Sequence, residues 1–125
     1  MSVTAYVVGA VHDPYDDITS WPVRIFRSYK RAEEYTFELN TRATQLNIAL
    51  ERLNYAAYKR MARGQRVPPE EEAAYAVALA KTTTALPEYQ ALQELDPNVF
   101  IGELHHHGYL NAPKYELSEA PFTEE

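Results

Sequence analysis

The residues best suited to chemistry in this chain are four histidines, His12 and the run His105-His106-His107, together with the acids Asp13, Asp16 and Asp17 beside the first of them. On a strand, His105 and His107 point to one face and His106 to the other, so the two imidazoles on the shared face sit about 7 Å apart at their Cα atoms. That spacing lets them share a metal ion or a phosphate, with His12 or Asp13 as a third ligand if the two segments are neighbours. No HExxH, HxxEH or histidine-plus-carboxylate pattern of recognised spacing frames them, and a histidine run beside a glycine reads first as a polar strand edge. The acidic tip at Asp13, Asp16 and Asp17 lacks the alternating oxygens, central glycine and distal glutamate of a calcium loop. Asx turns account for it better. With only four glycines, none grouped, there is no phosphate-cradling loop. With no cysteine there is no thiolate nucleophile and no disulfide framework. No serine stands in a strained-turn motif. No cofactor and no catalytic residue are expected.

A second group of residues points to recognition instead. Ten tyrosines are present in 125 residues, and tyrosine packs an apolar ring while keeping its hydroxyl wet, which suits both interfaces and half-buried core positions. Tyr15 and Trp21 fall on a hairpin, and Phe37, Ile48, Tyr55 and Tyr58 on the second side of a helix. Aromatic side chains on such faces are the usual anchors for a protein partner.

The elements that position these groups follow from local patterns. Val3 to Val11 is a short run rich in β-branched residues and reads as a strand. Asp13-Pro14 and Asp16-Asp17 break it, and Val23 to Ser28 forms a second strand, giving an antiparallel hairpin with a long tip. Ser28 is an N-cap, and Tyr29 to Arg63 holds neither glycine nor proline. Ala32, Tyr35, Leu39, Ala43, Leu46, Leu50, Leu53 and Ala57 recur every three or four positions and mark the core stripe of this helix. Phe37, Thr41, Thr44, Ile48 and Tyr55 align on the opposite side. At about 1.5 Å per residue the helix spans roughly 50 Å, beyond the roughly 35 Å diameter of a compact chain of this size. Either it kinks near Asn40-Thr41 or Asn47, where propensity is weakest, or its far end projects as one arm of a helical hairpin. A second helix runs from Pro69 to Ala85 and a third over Pro87 to Leu95. Val99 to His107 reads as a third strand and Lys114 to Ala120 as a fourth. The expected fold is a single α+β domain over residues 1–125: an N-terminal hairpin, one long and two shorter helices, and a C-terminal strand pair completing one antiparallel sheet.

Charge narrows the function classes. Residues 1–23 carry a net −3, residues 24–66 a net +6 and residues 67–125 a net −9, for −6 overall. The basic end of the first helix (Lys59, Arg60, Arg63, Arg66) faces the acidic start of the second (Glu70, Glu71, Glu72), each complementing its helix dipole, so no nucleic acid is needed to explain the bases. No run of eighteen apolar residues offers a membrane span, and the first residues lack the basic and apolar regions of a secretion signal. A cytoplasmic location is expected.

The helix entry Phe26-x-Ser28-x-x-x-Ala32-Glu33-x-Tyr35 and the closing Tyr115-x-Leu117-x-Glu119-x-Pro121 resemble a diffuse group of small bacterial and phage-encoded proteins of unassigned role. The resemblance covers the first 40 or so and last 15 or so residues and names no functional residue. It implies a phage or mobile-element accessory protein. The reading that results is a non-enzymatic interaction protein that binds and modulates a host protein and forms a homodimer through the second side of the long helix. The alternative is a small-ligand or phosphate binder, or a metal-assisted hydrolase, built on His105 and His107.

Overall fold

The computed structural model describes residues 2–13, 18–62, 69–102 and 110–123. Along them run β1 (Ser2–His12), β2 (Thr19–Phe26), α1 (Tyr29–Ala62), α2 (Pro69–Thr84), α3 (Pro87–Leu95) and β3 (Lys114–Thr123). The α+β class and the N-terminal hairpin expected from the sequence are present. β1 is the central strand of an antiparallel sheet ordered β2-β1-β3. β3 pairs with it from Ser2↔Thr123 to Val11↔Lys114, and β2 from Tyr6↔Phe26 to His12↔Thr19. The β2 register shifts between Val8 and Gly9, which leaves Val23 as an extra residue and sets Pro22 opposite Gly9. A bulge on an edge strand is where a residue without an N–H is tolerated.

The sheet has three strands among the described residues, where four were expected. Val99–Gly102, the described part of the expected third strand, is irregular. The reason is local: Asp96 closes a turn by accepting from the Asn98 N–H with its carboxylate and from the Val99 N–H with its carbonyl, and Gly102 takes φ 96°, a conformation that interrupts an extended run. The remainder, His105, His106 and His107 included, lies outside the described residues.

α1 starts where its cap predicts. The Ser28 hydroxyl accepts the Arg31 N–H at 3.3 Å, satisfying one of the orphan donors of the first turn. Ala32, Leu39, Ala43, Leu46 and Leu50 are buried, and Tyr35 and Leu53 are packed against them. They meet Val8, Ala10 and Tyr115 from the inner face of the sheet in one core. α3 lies on α1 through Leu92 in that core, the Tyr35 hydroxyl donating to the Leu95 carbonyl at 2.6 Å and Arg42 bonded to the Ala91 carbonyl, Glu38 and Glu94.

α1 is one continuous helix through Asn40 and Asn47, the positions at which a kink was one of the two expectations. The asparagines have another use. Asn40, Asn47 and Asn54 stand seven residues apart and grip the extended chain from Leu110 to Tyr115. Asn40 exchanges two hydrogen bonds with the Tyr115 backbone, both 3.0 Å. Asn47 accepts the Ala112 N–H at 2.7 Å. Asn54 exchanges two with Leu110, at 2.7 and 2.9 Å. A side-chain amide has one acceptor and two donors, so it can complete a peptide unit that no strand partners. The far half of α1 is therefore held by an extended segment bound along it rather than by sheet.

Candidate functional site

Three places carry side chains that could act: the outer side of α1, a buried polar knot around Asp96, and an apolar cleft beside α2. On α1, Phe37 is 73% exposed, Ile48 65% and Tyr55 59%. Five helical turns separate Phe37 from Tyr55, so the two share one azimuth, and the stripe is about 27 Å long. Thr41 and Thr44 lie between Phe37 and Ile48, their hydroxyls already donated to the Phe37 and Asn40 carbonyls. Their methyl groups keep that stretch low and apolar. Lys59 Nζ sits 5.0 Å from the centre of the Tyr55 ring, a cation–π contact that bounds the stripe with charge. Leu39, Leu46 and Leu50 on the opposite face of the same helix are fully buried, and Phe37, Ile48 and Tyr55 are not part of that core.

The other expected interface residues are placed differently. Trp21, read from the sequence as an exposed anchor, is half-buried and packs on the core. Its Nε1–H donates to both carboxylate oxygens of Asp96, at 3.1 and 3.2 Å. The reason is that position 21 faces inward with Ala10, its partner on β1. Tyr15 lies outside the described residues, as does the side chain of Tyr58. His12, the candidate third metal ligand, is fully buried; its Nε2 is 3.0 Å from the Asn111 carbonyl and its ring meets Phe100 edge-on at 4.9 Å. As donor to that carbonyl, Nε2 carries the proton, and Nδ1 has no partner among the described residues. His105 and His107 lie outside the described residues, and among those described no three His, Asp or Glu side chains gather in a metal-binding group.

The Asp96 knot was not read from the sequence. Its carboxylate is buried and takes Trp21 Nε1–H, the Tyr115 hydroxyl at 2.8 Å and the Asn98 N–H. Burial first, and then the hydrogen bond to Asp96 and its charge, push the Tyr115 hydroxyl far above its ordinary pKa. Tyr115 therefore remains a protonated donor and is no proton shuttle. A pH dependence follows. An unfolded tyrosine titrates near pH 10, whereas folded Tyr115 keeps its proton above that. The contribution is complete below about pH 10 and falls by about 1.4 kcal/mol per pH unit above it. Urea unfolding between pH 9 and pH 11 should show this loss, and Tyr115→Phe should flatten it; equal slopes in the two proteins would contradict the assignment.

The cleft, of about 380 Å³, lies between α2 and the Val99–Gly102 segment, with Leu79, Thr83, Tyr89, Val99, Phe100 and Leu110 on its walls. Thr83 donates its hydroxyl to the Leu79 carbonyl. Tyr89 is the one titratable residue among the described residues on these walls, and burial, then the charge of Asp96, raise its pKa. The cleft thus holds no acid–base or nucleophile–base pair among its described lining residues.

No family model, curated protein or solved structure matches this chain. No helix among the described residues is long and apolar enough to cross a membrane.

Proposed function

We propose that this protein is a non-enzymatic interaction protein, of the phage or mobile-element accessory type, that binds and modulates a host protein by docking the outer stripe of α1. One observation carries the reading. A helix whose core face is complete still presents Phe37, Ile48 and Tyr55 to solvent in one line, and aligned apolar side chains that serve no core mark an interaction surface. Burying each would contribute on the order of 1.5–3 kcal/mol, which together only reaches the lower part of the cost of association, so the partner must also make contacts around the stripe. The partner this surface fits is an amphipathic helix, laid against the low stretch at Thr41 and Thr44 with Phe37 and Tyr55 gripping its ends.

The test is capture from an extract of the host with wild-type protein and with an Ile48→Glu/Tyr55→Glu variant. Both positions are exposed, so the variant should keep the wild-type circular dichroism spectrum and lose the captured protein. Equal capture by the two would refute the docking role of the stripe.

A further inference from the structure

We infer that the outer face of the sheet is where two copies of this chain pair. The alternation along β1 sets Val8, Ala10 and His12 inward, where all three are buried, and Ala5, Val7, Gly9 and Val11 outward. Cross-strand pairing puts Ile25, Pro22 and Ser20 beside the outward set on β2, and Ala120, Ser118, Glu116 and Lys114 on β3. α1 packs on the inner face and the shorter helices pack on the helical side, so among the described residues no helix covers the outer one. Its centre is nevertheless apolar, and Ile25 is 64% exposed. A central strand that is apolar on both sides is the pattern of a sheet covered on both faces.

Gly9 adds a separate observation. A Cβ there would meet only the Trp21 carbonyl oxygen, at an ordinary 3.6 Å, and its φ is not in the left-handed region. Neither crowding within the chain nor backbone conformation requires glycine. Between Val7 and Val11 it leaves a low point at which another backbone can approach.

The occupant is a second copy on three counts. Three strands about 4.8 Å apart and a ladder about 33 Å long give roughly 450 Å² in plan, and more over corrugated side chains. That is the order of the roughly 800 Å² per partner of a stable interface, whereas the narrower α1 stripe falls well short of it. Charges of the face lie on edge strand β3, where Lys114 and Glu116 cancel, so a chain of net −6 meets itself there without repulsion. Finally, an apolar centre with a polar rim is self-complementary under a twofold axis through the middle of β1, which lays Val7 on Val7 and Ala5 over Gly9 of the partner.

Light scattering across a concentration series tests this with three proteins. Wild type should show twice the 14.3 kDa chain mass at micromolar concentration. Gly9→Leu, whose Cβ would make only an ordinary contact inside the monomer, and Ile25→Glu, at an exposed edge position, should each raise the dimer dissociation constant at least about tenfold. The Ile48→Glu/Tyr55→Glu variant should remain dimeric. A monomeric wild type, undiminished pairing in both sheet variants, or dissociation of the helix variant would each overturn the inference. Because partner capture and chain mass are separate readouts, this inference and the proposed docking role of α1 fail independently.

Discussion

Replacing Asn40 and Asn54 together by alanine should destabilise the protein by about 3–5 kcal/mol, although helix propensity alone predicts the opposite sign. Alanine is the best helix former, and moving from asparagine to alanine inside a helix is worth roughly 0.5–0.7 kcal/mol per site in its favour. Against that, each asparagine completes both hydrogen bonds of a peptide unit, Asn40 at Tyr115 and Asn54 at Leu110. Tyr115 and Leu110 are buried, so truncation strands a backbone donor and acceptor away from water at about 1–3 kcal/mol each. The second term wins. Asn47 makes a single bond among the described residues, to the Ala112 N–H, and Asn47→Ala should cost about 1 kcal/mol or less. Urea unfolding of the three variants checks the order, and a more stable double variant would mean that the extended segment is not held by this ladder.

The second large effect is expected at Asp96. Asp96→Ala leaves the indole N–H of Trp21 and the hydroxyl of Tyr115 without their acceptor and opens a hole beside Leu92 and the turn to Val99. Leaving these donors and the Asn98 N–H without an acceptor costs about 1–3 kcal/mol for each that stays buried, on the order of 3–5 kcal/mol together. For a chain of 125 residues that is a fall in melting temperature of roughly 10–20 °C. Thermal unfolding followed by circular dichroism reports it. A shift of only a few degrees would show that these donors find water instead.

Both predictions concern features that sequence patterns hide, and the reason is physical. Periodic and local signals were legible: the Leu/Ala stripe of α1, the Ser28 cap, the proline that opens α3 and the β-branched run of β1 each act through near neighbours. Asn40 and Asn47 read as weak points, and Asn54 as an ordinary helix position, because propensity describes a helix in water. Their partners lie 56 to 75 residues away. The signal available was the seven-residue spacing, which puts three amides along one side of a helix. Asp96 shows in the sequence only as the residue after the third helix, and its N–H does cap the Leu92 carbonyl. Its carboxylate meets Trp21 and Tyr115 only because β1 takes the centre of the sheet. Tyr6, Tyr35, Tyr75, Tyr89 and Tyr115 serve as core filler, with the hydroxyl hydrogen-bonded at Tyr35 and Tyr115. Of the expected anchors, the three on the outer line of α1 are exposed and Trp21 is turned inward, a distinction that depends on which face of β2 meets the core.

The docking role of α1 is tested most directly by placing a photo-crosslinking amino acid at position 48 and, separately, at the exposed position Lys81 of α2, outside the cleft, then irradiating each protein in host extract. A discrete adduct between position 48 and a host protein is expected, competed away by unlabelled wild type and absent from position 81. No adduct at position 48, the same adducts at both positions, or an adduct only with a second copy of this chain would contradict it.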